Sequence, residues 1–241
     1  MENNILNYLQ DSKVEYDDFV DFVCTKTLKD FLVTFRYPFL VGQDLHAGEL
    51  GESTDRFGTV QFQSDDTGTT NTPKFVSKSV YTMFHNGEYQ NDRSKFHIGR
   101  LSENEITIVD YTISKQHAII CLENGKYRLT DLGAKNGTSV DGNLVQANTE
   151  VILKSGDEIQ FGRIGFVWKS PIAMFIHIRQ IKNMEATLQK ELIIVLQSLQ
   201  TSGLIAIANS MRLNLENTQR KYLILRILKY STPQRILEHI F

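Results

Sequence analysis

The chain has 241 residues, 41% of them apolar and 22% charged, which is enough for one large domain or two smaller ones around a substantial core. No apolar run approaches the roughly 20 residues that span a membrane, and Met1-Glu2-Asn3-Asn4-Ile5 lacks the basic and apolar parts of a secretory signal, so a cytoplasmic protein with no membrane role is expected. The net charge of −2 hides a gradient: residues 1–75 carry −7, residues 76–170 are neutral and residues 171–241 carry +5, as in segments with different partners or ends that attract each other.

The first segment, residues 1–74, reads as an acidic α/β unit. Phe19, Val20, Phe22, Val23, Phe31, Leu32 and Phe35 recur at helical spacing, with Asp17, Asp18 and Asp21 early and Lys26 and Lys29 late, an order that complements a helix dipole. Pro38 ends the helix, and Phe39-Leu40-Val41 reads as a short strand. Thr59–Phe62 alternates like a second strand, and residues 64–73 contain no apolar side chain at all, as expected of a linker or loop. Thr67, Thr69, Thr70 and Thr72 stand there; linker composition is the favoured account, and phosphorylation sites are the other.

Residues 75–170 change to strand-like patterning. Val80–Phe84, Lys95–Ile98, Ala118–Leu122, Lys126–Leu129, Thr138–Val140, Val151–Leu153, Ile159–Phe161 and Phe166–Trp168 are short β-rich runs. Asn124-Gly125 and Asp141-Gly142 are two-residue hairpin signals. Many short strands at close spacing predict a β-sandwich, so the fold class is a mainly β core flanked by an α/β N-terminal segment and an all-α C-terminal one. Residues 171–241 form that basic helical segment. An apolar stripe runs from about 174 to 200 and ends at Gly203; Leu204–Met211 and Gln219–Lys229 follow, and Thr232-Pro233 caps a last helix.

Within the β segment, Gly99-Arg100, Ser114-Lys115-Gln116-His117 and Asn136-Gly137-Thr138 each offer an anion donor where the chain must turn. A guanidinium, a hydroxyl and an amide on successive loops suit the holding of a phosphate rather than its hydrolysis. No GxxxxGK[ST], GxSxG or HExxH motif occurs and the six histidines are scattered, so no catalytic residue, metal site or cofactor is expected. Cys24 and Cys121 lie far apart without His or Asp at ligand spacing, which argues against a disulfide framework or a zinc site and fits a reducing compartment.

These motifs, with Phe96-His97-Ile98-Gly99-Arg100, Tyr127–Gly133 and Gly156–Gly162 in the same order, resemble the forkhead-associated (FHA) domain family. The resemblance implies a β-sandwich whose loops bind phosphothreonine in partner proteins, and no enzymatic activity. It implies that Arg100 is the main phosphate ligand, that Ser114 donates its hydroxyl, and that Lys115 and Lys135 add cations. Asn136 would hold the peptide backbone, while Gly99, His117, Gly137 and Thr138 support the site. Thr112, Lys135, Asp141 and Asn143 flank these positions and are candidates for reading the peptide beyond the phosphothreonine.

The function expected is a phosphothreonine-dependent signalling adaptor downstream of a Ser/Thr kinase, with self-association left open. The alternative is a regulator that couples phosphopeptide binding to nucleic-acid binding through its C-terminal helices. Residues 204–228 are faintly similar to SAP-type domains, but the expected basic loop is missing: residues 214–219 contain only Glu216 as a charged side chain. A docking bundle without nucleic acid is the better expectation for that segment.

Overall fold

In a computed structural model, the structure describes residues 13–45, 48–50, 62–64, 79–83, 94–215 and 217–240. The threonines at 67–72 and the strand expected at Thr59–Phe62 fall outside these residues, apart from Phe62. The strands are β1 (Lys13–Glu15), β2 (Phe39–Leu45), β3 (Gly48–Leu50), β4 (Phe62–Ser64), β5 (Ser79–Thr82), β6 (Lys95–Gly99), β7 (Ile106–Thr107), β8 (Ala118–Glu123), β9 (Lys126–Asp131), β10 (Thr138–Val140), β11 (Asn143–Leu144), β12 (Glu150–Leu153), β13 (Glu158–Phe161) and β14 (Ile164–Lys169). The helices are α1 (Tyr16–Cys24), α2 (Leu28–Thr34), α3 (Pro171–Ile181), α4 (Glu185–Ser198), α5 (Thr201–Ser210), α6 (Arg220–Tyr230) and α7 (Pro233–Glu238).

Two sheets form an FHA-like β-sandwich. One has seven antiparallel strands in the order β1-β5-β2-β14-β13-β10-β11; the other has five in the order β12-β9-β8-β6-β7, with only β6 and β7 parallel. Two hairpins turn on Asn124-Gly125 and Asp141-Gly142, where φ is positive at both residues (50° and 72°, 49° and 76°). That geometry matches the right-handed twist of the strands, and Asn, Asp and Gly tolerate it best. Phe96, Ile98, Ile120, Leu129, Phe161, Phe166 and Trp168 fill the space between the sheets.

The chain divides into two compact units, which part at the sequence-based position 170/171 but run across the one at 74/75. The sandwich unit holds the described residues up to Phe22 and from Tyr37 to Ser170. Thus β1 and β2, expected in a separate N-terminal segment, lie in the seven-stranded sheet, where Leu40 pairs with Tyr81 on one side and Trp168 on the other. Leu40 is fully buried in the sandwich core, and strand pairing across such distances leaves no mark in local periodicity.

The second unit combines residues 23–36 with the described residues from Pro171 onward. The first helical stretch is broken in two at Thr27, whose hydroxyl accepts a hydrogen bond from the Asp30 N–H at 3.2 Å and caps α2. Within this unit Phe31 packs on Phe175 with ring centroids 5.3 Å apart. Arg179 is buried beside them, donating to the carbonyls of Cys24 (3.3 Å) and Lys26 (2.6 Å) and to Glu191 Oε1 (3.3 Å). The stripe from 174 to 200 is two helices, because Asn183 takes φ 52° between α3 and α4. Gly203, expected to end that stripe, lies inside α5. Thr232 caps α7 by accepting from the Arg235 N–H at 3.3 Å, with Pro233 in its first turn. Among the described residues no single helix is long and apolar enough to cross a membrane.

Candidate functional site

Three loops carry the predicted residues: the one leaving β6, the one entering β8 and the one between β9 and β10. Gly99 ends β6 in a place with no room for a side chain. A Cβ there would lie 2.2 Å from the Lys115 carbonyl oxygen and 2.7 Å from Asn104 Nδ2. The close approach lets Arg100 meet the next loop: its backbone N–H donates to Ser114 O at 3.0 Å, and its Nε donates to Ile113 O at 3.2 Å. Asn104, which the sequence reading missed, clamps the same two loops by donating through Nδ2 to Leu101 O (2.7 Å) and Lys115 O (2.9 Å).

Ser114 is half-buried, and its Oγ accepts the backbone N–H of Lys135 from the third loop at 3.0 Å. With that lone pair used, the hydroxyl can still give its own proton to an anion. Lys115 and Lys135 are exposed on either side of this bond. Asn136 is half-buried and donates through Nδ2 to the Thr112 carbonyl at 2.8 Å. The structure therefore joins Arg100, Ser114, Lys135 and Asn136 through one hydrogen-bonded frame, with Lys115 next to Ser114 in the chain.

His117 lies fully buried beneath this frame. Its Nδ1 accepts the Ser114 N–H at 3.0 Å, so the ring proton sits on Nε2, which donates to the Gly137 carbonyl at 3.0 Å. Burial holds its pKa below the ordinary histidine value, against the raising effects of the Gly137 carbonyl and the Asp131 charge. A group whose folded pKa is depressed in this way binds fewer protons folded than unfolded. Its contribution is complete above the unfolded pKa of about 6.5 and is lost as pH falls below it. Urea unfolding followed through Trp168, the chain's one tryptophan and part of the sandwich core, should show stability falling as pH drops below about 6.5. His117→Gln should flatten that slope; parallel slopes for the two proteins would refute the assignment.

Asp131, at the end of β9, shapes the third loop. It is buried; Oδ1 accepts the N–H groups of Gly133 (2.7 Å) and Ala134 (2.9 Å), and Oδ2 accepts the Thr138 hydroxyl at 2.6 Å. Gly137 takes φ 69°, which favours glycine. The sequence signal for Asp131 was available: an Asp two residues before a Gly is a common Asx-turn pattern.

Thr112 is corrected as a reader of the peptide. It is fully buried; its hydroxyl donates to Asp110 Oδ1 at 2.6 Å, and its carbonyl accepts from Asn136. Asp141 and Asn143 are exposed but engaged within the fold: Asp141 Oδ1 accepts the Glu158 N–H at the start of β13, and Asn143 donates to the Asp141 carbonyl. Asp110 and Arg163, both missed from sequence, form a bridge of 2.7 Å at Nη2 and 3.1 Å at Nε. Burial alone would raise the Asp110 pKa, yet the bonds from Arg163 and Thr112 outweigh it and hold the carboxyl below its ordinary range. Among the described residues, no group of three or more His, Cys, Asp or Glu side chains is arranged to hold a metal ion.

A rigid two-sheet scaffold with its polar donors gathered on adjoining loops is the plan of a recognition domain. Residues 96–162 match the family model for the FHA domain, and this stretch of the chain carries that domain. The chain is 39% identical over 77 residues to an oxoglutarate dehydrogenase inhibitor of Corynebacterium diphtheriae, covering 32% of this chain and 52% of the relative. It is 36% identical over 70 residues to the glycogen accumulation regulator GarA of Mycolicibacterium smegmatis, covering 29% and 42%. The chain thus spans about half the length of the curated relatives it matches. A solved structure of the FhaA FHA domain, complexed with the intracellular domain of Rv3910, is 30% identical, with 34% of this chain and 86% of that chain covered and a TM-score of 0.30.

Proposed function

We propose that the FHA domain of this chain binds phosphothreonine in partner proteins and works as a non-enzymatic adaptor downstream of a Ser/Thr kinase. What supports it most is the frame shared by Arg100 and Ser114. The guanidinium-bearing residue is bonded to the segment that carries the hydroxyl, and that hydroxyl is held by the loop carrying Lys135 and Asn136. Arg100 and Ser114 take the phosphate, Lys115 and Lys135 add positive charge around it, and Asn136 holds the peptide backbone. Each charge-assisted hydrogen bond contributes about 1.5–3 kcal/mol. One buried methyl contributes only about 0.8 kcal/mol, roughly fourfold, so a strict preference for threonine over serine requires a shaped methyl pocket as well.

The relatives named as a regulator and an inhibitor fit a protein that acts by binding. Two cysteines outside any disulfide fit a cytoplasmic setting. The helical unit, on this reading, fixes what the phospho-signal is connected to. The test is a degenerate peptide library presented in three forms, phosphothreonine, phosphoserine and unphosphorylated, to the full chain. Retention of the phosphothreonine form above both others is expected, and equal retention of all three would refute the proposal.

A further inference from the structure

Asn136 is not oriented by its own loop alone. Its Nδ2 donates to the carbonyl of Thr112, a residue on the loop entering β8. Thr112 is in turn held on every side. Its N–H and its hydroxyl both donate to Asp110 Oδ1, at 2.8 and 2.6 Å, and its Oγ1 accepts the Arg163 N–H at 3.2 Å. The Arg163 guanidinium closes the circuit on Asp110 Oδ2 through two nitrogens, and the side chains of both partners are largely shielded, at 16% and 7% exposure. Gly162 allows this approach, since a Cβ there would lie 2.7 Å from Thr112 Oγ1. The Gly162 N–H also donates to the Gly137 carbonyl, one residue from Asn136.

A primary amide can turn over and exchange its donor and acceptor ends at little cost unless a partner pins one of them. From this geometry we propose that the Asp110–Arg163 bridge, acting through Thr112, is the positioning element that fixes the Asn136 amide for the peptide backbone. The proposal rests on the phosphothreonine reading. It makes Asp110, Thr112 and Arg163 positioning residues, each acting on the bound chain through Asn136 and none of them touching the phosphate. The turn between β13 and β14 thereby becomes part of the site, though it contributes no ligand of its own.

A double-mutant cycle on the full chain tests this, with a fluorescent phosphothreonine peptide recovered from the library as probe. Arg163→Gln should weaken binding about fivefold in the native background and less than about twofold when Asn136→Ala is already present, a coupling expected only of residues acting together. A merely structural loss would weaken both backgrounds alike, and that outcome, or no loss in either, overturns the proposal. Where Arg163→Gln leaves a buried charge that prevents folding, Asp110→Asn combined with Arg163→Gln removes both charges and is measured in the same two backgrounds. If folded native protein binds no phosphothreonine peptide, the phosphothreonine reading itself falls and takes this proposal with it. Native binding without coupling overturns the positioning role alone.

Discussion

Arg100→Ala should lower affinity for phosphothreonine peptides at least about tenfold, since one charge-assisted hydrogen bond to phosphate contributes about 1.5–3 kcal/mol and 1.4 kcal/mol is a factor of ten. Two effects combine in this loss. The guanidinium disappears from the anion site, and the Nε strut to the Ile113 carbonyl is removed from the loop that carries Ser114. Arg100→Lys separates them: it keeps a positive charge but can form neither the fork nor the strut, so its affinity should fall between the other two. Isothermal titration of the three proteins with one phosphothreonine peptide is sufficient. Unchanged affinity in Arg100→Ala would remove this residue from the site.

Gly99→Ala should be far more damaging than the same methyl placed at Gly133. The new Cβ would meet backbone atoms, the Lys115 carbonyl oxygen at 2.2 Å and carbon at 2.9 Å, and these cannot swing aside as a side-chain tip can. Either the end of β6 or the loop entering β8 must move, and the two Asn104 bonds that clamp them move with it. Overpacking of this kind costs about 1–3 kcal/mol and each lost bond about 1 kcal/mol more, so about 3 kcal/mol is a reasonable floor. For a unit of this size that lowers the melting midpoint by roughly 6–12 °C. Gly133→Ala is the internal control: φ there is 77° but a Cβ meets nothing within 4 Å, so only backbone strain of about 1–2 kcal/mol is expected. A Gly99→Ala protein that melts no lower than Gly133→Ala would contradict the close approach described above.

Features set by a few neighbouring residues were legible in the sequence. Asn124-Gly125 and Asp141-Gly142 gave two hairpins because only a few residues accept positive φ at both central positions. Thr232-Pro233 gave a helix start because the hydroxyl and the missing N–H both suit a first turn. The candidate site was legible for a similar reason: its donors sit on short turns whose residues announce themselves. The rest was set by partners distant in the chain. Phe39-Leu40-Val41 could be read as a strand, but its place between β5 and β14 is decided by core packing. Asp110 and Arg163 stand 53 residues apart, and only the fold brings them together. The break at Asn183 escaped because apolar periodicity continues on both sides of it, blind to one residue in the left-handed region.

The helical unit draws its first helix, α2, from ahead of most of the sandwich strands and the others from beyond them. As the chain leaves the ribosome, Phe31 must therefore wait for Phe175, while every strand of the sandwich has already emerged and can pair. The same arrangement sets how the protein can be cut. A fragment beginning at residue 171 would keep Arg179 but lose the Cys24 and Lys26 carbonyls that receive its guanidinium, leaving a buried cation short of its partners. The helices are best studied with residues 23–36 supplied, either in the full chain or as a second peptide added back.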